Sequence, residues 1–315
     1  VFDPGKFIEE KVSELKHEIK GKAIIACSGG VDSTVAAVIT SKAIGNRLLT
    51  VYVNTGFMRK GETETVEKML KQLGLNYKIV DASNEFFAAL NGVVDPERKR
   101  KIIGEKFIRV FERTARDFGA DYLVQGTIAP DWIESGDRLR DTIKTHHNVG
   151  GLPADMKLKL VEPLRDLYKD EVRKVARFLG IEVSERQPFP GPALAIRVIG
   201  EATPEAVEIV REACAIVEEE IEKAAASGKM TLPWQYFAVL LPVQSVGVQG
   251  DRRAYGRTIA VRAVDSVDAM TATYSKIPHE VLEKISLRIV NEMKDKVNRV
   301  VYDITDKPPA TIEWE

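Results

Sequence analysis

Apolar positions in the first half of the chain fall into short unbroken runs separated by stretches of helical spacing. Ala23–Cys27, Leu48–Val53, Tyr77–Val80 and Tyr122–Gln125 are the runs. Short, continuously apolar segments are what strands look like when a parallel sheet is covered on both faces. Ile8, Val12, Leu15 and Ile19, recurring after Pro4, predict an amphipathic helix ahead of the first strand. Val66, Met69, Leu70 and Leu73 mark a helix between later strands, and so do Ile103, Phe107, Val110 and Phe111. Gly45, Gly74, Gly119 and Gly180 stand where helix ends call for a residue at positive φ. The fold class is therefore α/β, a doubly wound parallel sheet with its ligand crevice at the carboxyl ends of the strands.

The alternation stops after Leu179. Gln187-Pro188-Phe189-Pro190-Gly191-Pro192 is too rich in proline to extend a helix or a sheet, and it predicts a boundary. The expectation is an α/β domain over residues 1–187 and a smaller α+β domain over residues 188–315. In the second, a long helix runs from Pro204 to about Ala225, with strands near Tyr236–Leu241 and Thr258–Val264. Val281, Leu282, Ile285, Ile289, Met293 and Val297 trace the apolar stripe of another helix. Strand-like runs Val300–Ile304 and Ala310–Trp314 finish the chain.

A chain of 315 residues is long for one core, in keeping with two domains. With 46 basic and 47 acidic residues it lacks the basic footprint of a general nucleic-acid binder. Two cysteines form no disulfide framework and suit a reducing compartment. There is no apolar stretch of transmembrane length and no signal-peptide pattern at Val1-Phe2-Asp3-Pro4. A cytoplasmic protein with no membrane partner is expected.

The chemistry begins where the first apolar run ends, at Cys27-Ser28-Gly29-Gly30-Val31-Asp32-Ser33-Thr34. A turn that leaves a strand and feeds a helix amino terminus aims several unpaired backbone N–H groups at one point. Gly29 and Gly30 let the backbone curl into an anion nest. Ser28, Ser33 and Thr34 add hydroxyl donors, and Asp32 can hold a Mg²⁺ that accompanies phosphates. A plain Gly-Gly turn capped by Asp32 is the bland alternative. No Gly-x-x-x-x-Gly-Lys-Ser/Thr and no Gly-x-Gly-x-x-Gly after the first strand occurs, which removes the P-loop and dinucleotide fingerprints.

Other clusters leave more than one reading open. Gly126-Thr127-Ile128-Ala129-Pro130-Asp131 follows a strand and is a site loop or filler. Lys144-Thr145-His146-His147-Asn148-Val149-Gly150-Gly151-Leu152-Pro153 reads as a lid whose Lys144 meets phosphate oxygens, or as a solvated loop. Its His pair has no Cys or third His nearby to make a zinc site. Gly247-Val248-Gln249-Gly250-Asp251-Arg252-Arg253 joins two strands and suits an anionic ligand or an ordinary charged hairpin. The ending Lys307-Pro308-Pro309-Ala310-Thr311-Ile312-Glu313-Trp314-Glu315 carries a stiff Pro-Pro and two buriable residues, Ile312 and Trp314. It is expected to dock, with Lys307 and Glu313 facing a ligand. Cys27 and Cys214 both read as core side chains rather than nucleophiles.

Ser28–Ser33 resembles the pyrophosphate loop of the ATP pyrophosphatases, with an adenine-nucleotide α-hydrolase-like fold. With Gln125–Ile128, the Lys144–Pro153 loop, Pro188–Pro192 and the ending Lys307–Glu315, the whole resembles GMP synthetase. That resemblance implies adenylation of the 2-oxygen of xanthosine 5′-monophosphate (XMP) by ATP with Mg²⁺. Displacement of AMP by ammonia then gives GMP. It implies that Ser28, Gly29, Gly30, Val31, Asp32, Ser33 and Thr34 bind ATP, with Asp32 on the metal, and that Lys144 belongs to a catalytic lid. Gln249, Lys307, Ile312 and Glu313 look like XMP-binding elements, and Arg100 is a further candidate for the substrate phosphate. The second domain resembles a dimerisation domain, which implies a homodimer. Only a short helix precedes Ala23, so the chain resembles the two-subunit arrangement in which a separate glutaminase supplies ammonia. NAD synthetase, which shares the Ser-Gly-Gly-x-Asp-Ser logic, is the nearest rival.

Overall fold

A computed structural model describes residues 1–131, 158–182 and 187–315. The chain forms two compact units that are not contiguous in sequence. The first comprises residues 1–54, 61–82 and 105–185, and the second residues 55–60, 83–104 and 186–315.

The first unit is a parallel sheet of five strands in the order β3-β2-β1-β4-β5. These are β1 (Ala23–Ala26), β2 (Leu48–Asn54), β3 (Tyr77–Asp81), β4 (Tyr122–Val124) and β5 (Lys159–Val161). Helices α1 (Pro4–Glu18), α2 (Val31–Ile44) and α3 (Glu62–Gln72) lie between or before the strands. β1 pairs with β2 from Ala23 opposite Leu48, and with β4 from Ala23 opposite Tyr122. Connections leave β1 in one direction and β4 in the other, so the crevice between their carboxyl ends is the topological switch point. β1 and β2 are buried nearly throughout, as their unbroken apolar runs require. Gly45, Gly74, Gly119 and Gly180 all take positive φ, between 58° and 75°.

Helix α4 (Ser83–Ala89) and the first turns of α5 (Pro96–Phe118) belong to the second unit, whereas α5 from Glu105 onward belongs to the first. Helix α6 (Lys169–Phe178) ends the first unit's regular structure. The second unit then carries α7 (Pro204–Ala226), β6 (Gln235–Gln249), β7 (Arg252–Asp265), β8 (Thr273–Tyr274), α8 (His279–Glu292) and β9 (Val297–Tyr302). Its four-stranded sheet is mixed: β6 and β8 run antiparallel to β7, and β9 runs parallel to it.

Three expectations need correction. β6 and β7 are longer than their apolar runs, because their outer halves form a two-stranded arm paired from Gln244 opposite Arg257 to Gln249 opposite Arg252. Gly247–Arg253 therefore lies mostly within strands, and only Gly250-Asp251 makes the turn. Val297 does not extend the helix stripe: α8 stops at Glu292 and Val297 opens β9. Finally, Ala310–Trp314 is not a strand, and the whole ending 303–315 is irregular. Its backbone carbonyls are taken by an arginine rather than by a neighbouring strand.

Candidate active site

Cys27 ends β1 in its own ladder, with its N–H donating to Val51 O at 2.9 Å, and the chain then turns through Ser28-Gly29-Gly30 into α2. Gly29 takes φ 88°, and a Cβ there would also meet Val66 Cγ2 at 3.0 Å. Gly30 is the N-cap of α2, and no side chain caps the helix. Thr34 makes the first intrahelical bond, N–H to Gly30 O at 3.1 Å. The N–H groups of Val31, Asp32 and Ser33 are thereby left as the helix's unpaired first-turn donors. Asp32 does not cap them; its carboxylate accepts two bonds from Lys169 Nζ, at 2.9 and 2.8 Å.

A cavity of about 610 Å³ opens over this turn at the switch point. One end is polar, walled by Ser28, Gly30–Ser33, Asp131 and Lys169. The other is apolar, walled by Phe107, Ile108 and Phe111 of α5, by Leu123 and Val124 of β4, and by Leu158. Phe107 and Phe111 stack with their rings 6° from parallel. Gln125-Gly126-Thr127 forms the wall after β4. A Cβ on Gly126 would stand 2.9 Å from Asp32 C and Ser33 N, so only glycine lets this loop lie against the turn. Asp131 anchors the loop by accepting from Ile128 N–H at 2.9 Å.

Of the predicted phosphate-loop residues, Ser28, Gly30, Val31, Asp32 and Ser33 line the cavity. Gly29 shapes the turn from behind. Thr34 is buried, and its hydroxyl donates back to Gly30 O at 2.7 Å rather than facing the cavity. Lys144 and its loop lie outside the described residues. Two cavity residues escaped the sequence reading. Lys169 opens a helix in a charged stretch that looks like ordinary surface. Glu112 sits on α5 one residue beyond the apolar stripe, buried, and burial pushes its carboxyl above the usual range against the lowering effect of Arg109 and Arg116.

The second unit gathers another polar cluster, built on the ending. Arg262, fully buried in β7, donates to four backbone carbonyls: Asp303, Thr305, Thr311 (3.1 Å) and Ile312 (3.2 Å). So held, Glu313 accepts from Arg197 Nη2 at 2.9 Å and from Gln235 Nε2 at 3.1 Å. Arg197 is 0% exposed, and its guanidinium lies 4.1 Å from the ring centre of Phe237 and 5.1 Å from that of Phe189. Buried Lys99 binds Glu315 Oε2 at 2.8 Å, and Arg100 donates to the Glu315 carbonyl. Arg100 therefore does join the ending, as a segment of the second unit.

Other expectations for the ending fare differently. Ile312 is buried, but Trp314 remains 41% exposed and donates to Asp303 Oδ2 at 3.1 Å. Lys307 donates to Ala269 O at 2.8 Å rather than approaching Glu313. Gln249, at the end of the β6–β7 arm, donates to Asp295 Oδ1 at 2.9 Å and not to the ending. Arg197 and Arg262 had a readable signal: each is a lone charge inside an apolar run, Ala193-Leu194-Ala195-Ile196-Arg197-Val198 and Ile259-Ala260-Val261-Arg262-Ala263-Val264.

Comparison with known proteins decides the family. Residues 219–314 match the model of the GMP synthase C terminal domain, and residues 3–114 match that of NAD synthase. One of the separately encoded subunits of glutamine-hydrolysing GMP synthase in Methanopyrus kandleri is 62% identical, over 100% of this chain and 100% of that protein. The same subunit in Pyrococcus horikoshii is 61% identical over 99% of this chain and 100% of its own length. The chain belongs to the GMP synthase family. A longer relative, the glutamine-hydrolysing GMP synthase of Clostridium botulinum, is 58% identical over 99% of this chain, which spans 61% of its length. Within this family the NAD synthase match falls on the sheet and turn that carry the cavity, and the GMP synthase match on the unit that carries the ending. Among the described residues no helix is long and apolar enough to cross a membrane.

Proposed function

We propose that the chain is the synthetase half of GMP synthesis, a C–N ligase that activates XMP with ATP and aminates it with ammonia. The observation that carries this reading is the cavity at the switch point. It joins a polar end, with first-turn N–H groups and the Ser28 and Ser33 hydroxyls, to an apolar end of adenine size and character. In this reading the β and γ phosphates lie on the N–H groups of Val31, Asp32 and Ser33. The base lies against Phe107, Phe111 and Leu123.

The 2-oxygen of XMP attacks the α-phosphorus of ATP, the α–β bridge breaks, and pyrophosphate leaves. Ammonia then adds at C2 and AMP departs with that oxygen. The donors of the turn act where charge grows, on the departing pyrophosphate, and being part of the backbone they need no reorganisation as it leaves. A Mg²⁺ would neutralise phosphate charge there. The site suits one: Asp32 already holds a cation, the Lys169 ammonium, on both oxygens. A single carboxylate is also what Mg²⁺ needs when phosphates and water supply its other ligands.

The XMP side is proposed for the second unit, with Glu313 and Arg100 as the leading contacts and Ile312, Lys307 and Gln249 around them. The exposed Val243, Val246, Val248 and Tyr255 of the β6–β7 arm support a homodimer through this unit. A separate glutaminase is the proposed ammonia source, because both cysteines are buried and the Cys214 thiol is pushed up to about 11 by burial, far from a nucleophile's state. Purified chain with ATP, Mg²⁺ and XMP is expected to form GMP from ammonium chloride, faster as pH rises and more NH₃ is present. It is expected to form none from glutamine until a separate glutaminase is added. Glutamine-driven GMP from the chain alone would overturn the two-subunit reading.

A further inference from the structure

Lys169 is the first residue of α6, and the backbone there is fixed by the Tyr168 N–H donating to Glu171 Oε1 at 3.0 Å. From this anchor its ammonium reaches both oxygens of Asp32, at 2.9 and 2.8 Å. The pair is wet, with the Lys169 side chain 45% exposed and that of Asp32 26%. Pairs so exposed add little net stability, so this one is a poor structural lock and either half can leave. Both residues also line the polar end of the cavity, beside the first-turn N–H groups. The ammonium thus stands where a cation brought by a nucleotide would have to meet Asp32. Two cations cannot share both oxygens of one carboxylate at such distances without strong repulsion.

We propose that Lys169 is an exchangeable counter-ion. It neutralises Asp32 while the cavity holds no nucleotide, and it moves its ammonium to a nucleotide phosphate oxygen when the nucleotide's own divalent cation takes Asp32. This rests on the nucleotide reading of the cavity. Lysine suits the task because its charge is compact and its stem flexible, so it turns from carboxylate to phosphate without moving the helix. One consequence is an order of events. A free divalent cation finds Asp32 already neutralised, and the metal enters with the nucleotide rather than ahead of it. Lys169 is then a catalytic residue that touches the leaving pyrophosphate.

Two titrations test this, with circular dichroism to confirm that each variant is folded. The first follows Mn²⁺ binding without nucleotide by electron paramagnetic resonance. Lys169→Met is expected to tighten it roughly fivefold, Lys169→Arg to leave it near the parent's, and Asp32→Asn added to Lys169→Met to abolish the gain. The second follows α,β-methylene-ATP with Mg²⁺ by calorimetry, where Lys169→Met is expected to bind about tenfold more weakly. A merely structural lysine would weaken both or neither. If the parent binds the analogue but Lys169→Met leaves Mn²⁺ affinity unchanged or lower, or leaves analogue affinity unchanged, the exchange is wrong and the cavity reading stands. If the parent binds no analogue, both fall.

Discussion

Asp32 with Lys169, and the ending with Arg262, Arg197 and Lys99, are built from the same charges and differ in water. The first is a carboxylate and an ammonium meeting in an open cavity, with 26% and 45% of their side chains exposed. The second is three cations of 0% exposure closed over backbone carbonyls and two carboxylates. Burial makes each cation depend on its partners, since an uncompensated buried charge is costly, and so the ending is fixed in shape. Exposure leaves the Asp32 pair nearly neutral in stability and free to change partners. A site that grips a leaving pyrophosphate and releases it gains from the second property. A surface that recognises one purine gains from the first.

The comparison breaks most easily at Arg262. Arg262→Met is expected to lower stability in urea by about 3–5 kcal/mol, because four carbonyls and Asp303 lose their donor, whereas Lys169→Met should cost no more than about 1 kcal/mol. Equal losses would erase the distinction between lock and exchangeable pair. Asp32→Ala should leave the fold intact and slow XMP-dependent pyrophosphate release on the order of 10²–10³-fold, as removal of a preorganised charge-stabilising group does. Near-parental turnover at saturating Mg²⁺-ATP would remove Asp32 from the chemistry. Glu313→Gln keeps shape and loses charge, so the KM for XMP should rise about tenfold with that for ATP unchanged. Parallel rises in both would make the ending a structural dock.

Glu112 offers the smallest effect and a pH signature. Burial raises its carboxyl above 4.5 in the folded chain, so folding favours the protonated form. Its stability contribution is complete below pH 4.5 and is lost as pH rises through the folded value. Glu112→Gln should therefore stabilise the protein at neutral pH by about 1 kcal/mol and bring no gain at about pH 4. A gain independent of pH would mean that packing, not charge, is the cause.

The strand order, the crevice and the turn at Ser28 were legible because local rules govern them. Unbroken apolar runs dictate buried strands, and two glycines before an Asp-Ser-Thr start dictate a nest. The cavity's lysine and the partners of the ending were not legible. Lys169 lies 137 residues from Asp32, and nothing in Tyr168-Lys169-Asp170-Glu171 separates it from a solvated helix start. Lys99 stands in the run Glu97-Arg98-Lys99-Arg100-Lys101, where local pattern cannot say which side chain turns inward. The ending was expected as a strand because Ala310–Trp314 has strand-like composition, but the carbonyls of Thr311 and Ile312 go to a side chain from β7, a choice made only by tertiary contact.

The central claim is that this chain transfers an adenylyl group to the 2-oxygen of XMP, and one isotope measurement addresses it directly. XMP carrying ¹⁸O at C2 is incubated with the chain, Mg²⁺-ATP and ammonia, and the products are resolved by mass spectrometry. The account predicts one ¹⁸O in the phosphate of AMP for each GMP formed, and none in pyrophosphate. GMP formed with the label lost to water, or label in the pyrophosphate, would contradict it.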